Sequence, residues 1–233
     1  MPQDLHKSLE EIINATEPGG QLKSEPQLAQ DLGVSRATLR EAMRTFETQG
    51  LLRRRQGVGT FVTRPSHIIE SGLEILESIE TLAERIGLTV SMGSLETRNC
   101  PADERSARKL GVESGTEILC VSRVILAGDR PAAFLIDKLP RNILRRRDID
   151  SGFRGSVLDL LLKRGDPALG SSRCEIAAIA APIEVARALN IQRGDSLLVF
   201  EAILYSEGGD PIDYSFSYFL PGIFKFHVVR RVG

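Results

Sequence analysis

Apolar residues near the start of the chain recur at helical spacing. Leu5, Leu9, Ile12 and Ile13 share one face of a predicted helix over 4–16, which Pro18-Gly19-Gly20 breaks. Ser24 and Gln27 have capping-box spacing, so a second helix is expected from Glu25, with Pro26 tolerated in its first turn. Leu28, Ala29 and Leu32 form its apolar face and Gly33 ends it. Val34 then plugs the corner and Ser35 is placed to cap a third helix. Leu39, Ala42, Met43 and Phe46 form the buried stripe of that helix, and Gly50 closes it. Leu51-Leu52-Arg53-Arg54-Arg55 and Thr60-Phe61-Val62 flank Gly57 and Gly59, the pattern of a hairpin with a glycine tip.

Beyond a short linker at Arg64-Pro65-Ser66, residues Ile69, Leu73, Leu76, Ile79, Leu82 and Ile86 again step by three and four. They predict a helix closed by Gly87, whose stripe needs a partner, either the core of a second domain or the same helix of a second subunit. From Leu88 the pattern changes to strands mixed with short helices, and an internal repeat emerges. The stretch from Pro101 to Ala132 overlays that from Pro182 to Ile212. Both contain Ala-x-x-Leu (Ala107/Leu110, Ala186/Leu189) and a glycine five residues later (Gly115, Gly194). An aliphatic pair follows, then a turn running into Pro131 or Pro211, then Leu-Pro (Leu139-Pro140, Leu220-Pro221). Each unit reads as helix, strand, hairpin turn, strand, giving a pseudo-twofold antiparallel sheet. Between the copies, Ser156 is placed to cap an amphipathic helix.

Charge sharpens the picture of the first 64 residues. The whole chain has a net charge of −1, yet 35–64 contains seven arginines (36, 40, 44, 53, 54, 55, 64) against Glu41 and Glu47, a local net of +5. Arg36, Arg40 and Arg44 step by four along the third helix, about 110° round from its apolar stripe. Guanidinium groups at the start of an exposed helix can grip guanine edges or phosphates, as a recognition helix in the major groove requires. The competing reading is a solvated helix face. The Gly-Val-Gly-Thr run is not a phosphate loop, because no Gly-Lys-Ser/Thr follows and a strand comes next. Two short helices, a tight turn and a hairpin together describe a winged helix-turn-helix.

The stretch LKSEPQLAQDLGVSRATLREAMRTFETQGLLRRRQGVGTFV closely resembles the DNA-binding domain of GntR-family bacterial transcription regulators. The likeness is long and ungapped. It implies DNA contacts from Ser35, Arg36, Thr38, Arg40 and Arg44 on the recognition helix. It implies others from Gln56, Gly57, Gly59 and Thr60 at the wing, with Gly57 entering the minor groove. Lys23 replaces the family's usual proline, and Pro26 an arginine that often touches DNA, so one family contact is missing.

The second half resembles, more weakly, the UTRA effector-binding domain, the chorismate-lyase-like half of the HutC subfamily. That resemblance implies an effector held between the repeats by arginines on the first hairpin, a Gly-Ser loop, and a carboxylate and a tyrosine near the last strands. The corresponding effector-binding positions here are Arg123, Ser156 and Asp213, with Tyr214 beside the last. Three polar positions of the family are apolar here, at Ile125, Leu135 and Phe219. An anionic sugar phosphate would lose part of its charge-assisted grip, which favours a less polar ligand. The alternative roles are a surface strand arginine for Arg123 and edge-strand residues for Asp213 and Tyr214. Arg141, Arg145, Arg146 and Arg147 form a second basic run, read as a solvated loop rather than a second DNA site.

The expected fold is therefore α+β. A winged helix-turn-helix (1–64) precedes a linker and connecting helix (65–87) and a UTRA-like effector-binding and dimerisation domain (88–233) with a mainly antiparallel sheet and a pseudo-twofold repeat. No run of about 18 apolar residues is present and the N-terminus lacks the shape of a signal peptide, so a cytoplasmic protein with no membrane partner is expected. Cys100, Cys120 and Cys174 are odd in number with no C-x-x-C, and read as reduced, mostly buried thiols. His6, His67 and His227 are scattered, so no metal site, no cofactor and no catalytic residue is assigned. The expected activity is that of a repressor that binds a palindromic double-stranded DNA operator as a homodimer and answers to a small-molecule effector. The alternatives are a DNA-tethered lyase-like enzyme and a ligand-independent DNA-binding protein.

Overall fold

The computed structural model describes residues 2–17, 19–48, 51–55, 58–62, 69–85, 88–149, 153 and 155–228. The chain divides into two compact units, Met1–Ile68 with Pro221–Lys225, and Ile69–Leu220 with Phe226–Gly233.

The first unit begins with α1 (Pro2–Ala15), α2 (Glu25–Asp31) and α3 (Arg36–Thr48). Their apolar stripes meet as the periodicity predicts. Leu5, Leu9, Ile13, Leu28, Ala29, Leu39, Ala42, Met43 and Phe46 form one core with Leu22, Leu52 and Val62. The α3 cap forms as expected, with the Thr38 N–H donating to Ser35 Oγ (3.1 Å). The α2 capping box does not form. Ser24 makes no side-chain bond to the helix N–H groups, and its hydroxyl donates instead to the Gln27 side chain (2.7 Å). Strands β1 (Leu52–Arg55) and β2 (Gly59–Val62) pair antiparallel from Leu52/Val62 to Arg55/Gly59. The segment before α2 adds a third line to this wing, through Leu22 N–H to Thr60 O and Val62 N–H to Gly20 O (both 2.8 Å).

The second unit departs from expectation at its start. The apolar stripe from Ile69 is not one helix. Strand β3 (Ile69–Gly72) comes first, and its continuation bonds Leu73 N–H to the His227 carbonyl (2.9 Å). Helix α4 is confined to Ile79–Arg85, with Ser78 Oγ accepting from Thr81 N–H (3.0 Å). Gly72 weakens a helix at that point and Ser78 supplies a better start. Leu73 and Leu76 consequently stay exposed instead of joining a buried stripe. Ile86 and Gly87, and the linker at Arg64-Pro65-Ser66, lie outside the described residues.

The internal repeat is built as the sequence suggests, with one more strand per copy. The first copy is β4 (Val90–Pro101), α5 (Glu104–Leu110), β5 (Glu117–Ala127) and β6 (Arg130–Pro140). After α6 (Val157–Arg164), the second copy is β7 (Leu169–Ala180), α7 (Ile183–Leu189), β8 (Ser196–Ser206) and β9 (Pro211–Phe219); β10 (Phe224–His227) ends the order. The six long strands lie in the antiparallel order β4-β5-β6-β9-β8-β7, which reads the same from both ends of the repeat. Equivalent bonds recur in each copy. Ala102 N–H donates to Thr116 O and Gly115 N–H to Ala102 O, as Ala181 donates to Asp195 O and Gly194 to Ala181 O. Helices α5 and α7 both end on a left-handed residue, Gly111 (φ 66°) and Asn190 (φ 55°).

Asp103 caps α5 by accepting from Ser106 N–H (2.7 Å). That bond, first, and the Lys138 ammonium hold its carboxyl at about 2, below the ordinary value of 3.8. A lowered folded-state value contributes stability that is complete above the unfolded value and lost as pH falls through the folded one. Asp103→Ala should cost about 0.5–2 kcal/mol at neutral pH, the usual worth of such a cap. The difference from wild type should close between about pH 4 and pH 2. Urea unfolding at three pH values measures it; a gap that does not depend on pH would remove the cap as its cause.

The cysteines correct the sequence reading. Cys100 and Cys120 form a disulfide, and the remaining cysteine, Cys174, is exposed. Register explains the pair. Cys100 lies opposite Ile118 and Cys120 opposite Arg98 on neighbouring antiparallel strands, with their Cα atoms 6.3 Å apart, within bridging range.

Candidate DNA-reading surface and effector site

In the first unit, α3 presents Ser35, Arg36, Thr38 and Arg40 as exposed residues at its N-terminal end. Arg36 forms no ion pair among the described residues. Arg40 is held in place, since its Nε donates to Glu25 Oε2 (2.7 Å), while Arg54 of β1 pairs with Glu25 Oε1 (2.5 Å). The Glu25 side chain is only 14% exposed. It therefore sets a recognition-helix arginine and a wing arginine at fixed positions, a role that the sequence reading did not assign. Arg44 is partly covered and lies 3.6 Å from Glu41. Gly59 takes a positive φ (142°), and a Cβ there would run into the Gln21 side chain, whose amide donates to Val58 O (2.9 Å). Thr60 is a correction. Its residue is only 6% exposed, so its side chain belongs to the interior of the wing and is not a DNA-facing group. Gln56 and Gly57 lie outside the described residues.

In the second unit, Arg123 is 5% exposed and pairs with Asp137 on the adjacent strand, which excludes a surface arginine. Asp213 and Tyr214 are not on an edge, because β9 lies between β6 and β8. Asp213 is buried and accepts from Lys138 N–H (3.2 Å). Burial, and then the negative charge of Asp137, push its carboxyl well above the ordinary carboxylate range. The side-chain hydrogen bond between Asp213 and Asp137 acts in the same direction, favouring the protonated form of Asp213.

Two helix starts meet this polar group. Ser156 caps α6 through Asp159 N–H (2.9 Å), and Ser78 at the start of α4 donates to Asp159 Oδ2 (2.7 Å). Glu80 of α4 feels the charges of Arg123, Asp159 and Asp137, and burial is the main cause that raises its carboxyl above the ordinary value. Gly155 has φ 111°, and a Cβ at that residue would stand 2.8 Å from Glu80 Oε1 and 3.4 Å from Met92 Cβ. Arg123 and Asp213 thus come together with Asp137 and Glu80, which the sequence reading missed, while Ser156 is linked to α4 through Asp159 and Ser78. Tyr214 does not join them. Adjacent residues of a strand point to opposite faces, and Tyr214 packs with Ala107, Leu110, Ile118 and Ile203 on the other side of the sheet. Its hydroxyl donates to Glu201 Oε1 (2.6 Å), which also binds Arg105.

The second basic run is exposed, as expected, on a turn and a short 3-10 helix (Arg146–Asp148). Arg141, Arg145 and Arg147 line a cleft of about 820 Å³ with Lys163 and Arg164 of α6, over Phe153 and Leu160. Asp148 is its acidic member, and Arg141 is already paired with Glu117 (2.5 Å).

Asp213→Asn isolates the protonated carboxyl. A raised folded-state value means stability present in full below the unfolded value of about 3.9 and lost as pH rises toward the folded one. Wild type should therefore lose stability relative to the asparagine variant above about pH 4, with a slope of at most about 1.4 kcal/mol per pH unit for one proton. Chemical unfolding of both proteins from pH 4 to 8 checks this; parallel curves would place the proton elsewhere.

Residues 3–62 match the family described as bacterial regulatory proteins, gntR family, and residues 85–225 match the UTRA domain. The HTH-type transcriptional regulator Rv0792c of Mycobacterium tuberculosis (strain ATCC 25618 / H37Rv) is 31% identical over 216 residues, covering 90% of this chain and 77% of that one. This chain belongs to the GntR family of transcription regulators. Its pairing of a GntR domain with UTRA is that of the HutC subfamily. The HTH-type transcriptional repressor NagR of Bacillus subtilis (strain 168) is 28% identical over 217 residues, 93% of this chain and 88% of that one. In fold, PhnF from Mycobacterium smegmatis superposes with a TM-score of 0.65 at 21% identity, covering 98% of this chain and all of that one. This GntR–UTRA protein thus combines a helix-turn-helix that reads DNA with an effector-binding type of domain. No helix among the described residues is long and apolar enough to cross a membrane.

Proposed function

We propose that this GntR–UTRA protein is a one-component repressor that binds a palindromic operator as a homodimer and is released by a small-molecule effector, acting in the cytoplasm and catalysing no reaction. The observation that carries the reading is the exposed start of α3, where Arg36 and the Glu25-anchored Arg40 stand beside the wing. Arg36 and Arg40 contact base edges or phosphates. Ser35 and Thr38 bond the backbone beside them, Arg44 adds charge further along the helix, and the wing tip (Gln56, Gly57, Gly59) approaches the minor groove. The repressor sense follows the name of the relative NagR. The twofold assembly is favoured by the requirement for two half-sites and by the edge strand β7, whose Ile176 is exposed.

The effector occupies the Arg123–Asp213–Ser156 site, where buried Ile125 shares the strand of Arg123 and buried Leu135 lies opposite Arg123 on β6. Linkage makes the control reciprocal: if effector weakens DNA binding, DNA weakens effector binding by the same factor. The test is fluorescence anisotropy of the full chain on tiled DNA from upstream of its own coding region. It is run across salt, with and without a small-molecule extract of the source cells. Tight binding to one tile, released by extract, is expected. Weak, salt-steep binding to every tile alike would remove the operator-specific reading.

A further inference from the structure

The chemistry of the Arg123 site restricts what can enter it. This argument rests on the reading of that site as the effector site. Among the described residues Arg123 is the one guanidinium in the group, and Asp137 already pairs with it. The carboxyls of Glu80 and Asp159 stand near it, so an incoming anion would meet acidic groups and, among the described residues, no unmatched cation.

Two buried polar atoms of the same group lack a hydrogen-bond partner among the described residues: Glu80 Oε1 and Arg123 Nε. The arginine side chain is 6% exposed, so bulk water does not replace the missing bond. One of these atoms accepts and the other donates. A hydroxyl group is the small function that serves both, donating its proton to the carboxylate and accepting from the guanidinium N–H. A phosphate oxygen or carboxylate could accept from Arg123 but would face Glu80 oxygen to oxygen. The surroundings of Glu80 Oε1 suit a compact, partly apolar ligand. Gly155 allows close approach of the backbone, and the spot it leaves open lies 3.4 Å from Met92 Cβ and 3.7 Å from Ile125 Cδ1.

We propose that the effector is a non-anionic, hydroxyl-bearing small molecule whose hydroxyl bridges Glu80 Oε1 and Arg123 Nε. Glu80 thereby becomes an effector-contacting residue, and phosphorylated and carboxylated metabolites are discriminated against by the acidic surroundings.

The test uses the full-length protein on its operator tile and a small-molecule extract of the source cells split on ion exchangers. The fractions are those retained by an anion exchanger, those retained by a cation exchanger, and those retained by neither. DNA release is expected from the neutral or cation-retained fractions. Release confined to the anion-retained fraction overturns the proposal while leaving the effector reading intact. Release by no fraction, with operator binding normal, overturns the effector reading itself. Glu80→Gln keeps the shape of the side chain, and Glu80→Asp withdraws the oxygen if the first variant does not fold. Either should need at least about tenfold more of the active fraction for release, with operator affinity unchanged. Undiminished sensitivity in a folded variant would show that the bridge is not made.

Discussion

Alanine in place of Arg36 should weaken binding to the cognate operator by roughly five- to 150-fold, the ~1–3 kcal/mol of one bidentate contact to guanine, with no change in thermal stability. Arg36 is exposed at the first position of α3 and makes no ion pair among the described residues, so its removal leaves nothing unsatisfied in the free protein. Arg40 is less clean. Its guanidinium is bonded to Glu25, and Arg40→Ala also removes a partner from that largely buried carboxylate. Lysine separates the two kinds of contact that Arg36 could make. A phosphate contact tolerates Arg36→Lys, whereas a forked contact to guanine does not. If the partner is a base, the alanine variant loses affinity for the operator and little for scrambled DNA. If it is a phosphate, both fall together and the salt slope drops by about one. Wild-type binding by the alanine variant on both DNAs would overturn the assignment of α3 as the reading helix.

How well the sequence foretold each part depended on whether the signal was local. Helices α2 and α3 were legible because Gly33 and Ser35 punctuate two amphipathic stripes at fixed spacing, and those stripes meet each other directly. The repeat was legible because its turns carry glycine and proline at matched offsets; the strand order then closes the two copies symmetrically about β6 and β9. Strands β4 and β7 were missed as members of the repeat, since their mostly exposed residues lack a clean hydrophobic alternation.

Most of the failures share a cause, which is partners distant in sequence, and the others come from the alternation of faces along a strand. Ile69 to Leu76 has helical periodicity, but Leu73 bonds to His227, more than 150 positions along the chain, and no local signal announces that. The disulfide depends on register between β4 and β5. Thr60 was assigned to DNA by its place in a motif, although the period of two in β2 turns it inward between Gly59 and Phe61. The same period divides Asp213 from Tyr214. Glu80 carried no signal at all, being an ordinary acidic residue in the first turn of a helix until the fold sets it near Arg123. Glu25 was equally silent, because its two arginine partners lie 15 and 29 positions away.

The buried pair of Arg123 and Asp137 should give the largest stability effect in the molecule. Asp137→Ala leaves a guanidinium buried without a counter-charge, which costs about 3–5 kcal/mol. For a protein of this size that corresponds to a fall of about 6–20 °C in melting temperature. The double variant Arg123→Met/Asp137→Leu removes both charges and fills the space with apolar groups, so it should recover most of the loss. This rescue matters for function, because a single change at Arg123 that abolishes the effector response could do so merely by unfolding the domain. If Arg123 contacts the effector, the double variant will melt close to wild type, bind the operator with unchanged affinity and no longer release it when extract is added. If the ion pair serves the fold alone, the double variant will be both stable and fully responsive. Calorimetric melting alongside the anisotropy release assay distinguishes these outcomes. A double variant no more stable than Asp137→Ala would mean that neighbouring groups, Asp213 first among them, depend on the charges individually rather than as a pair.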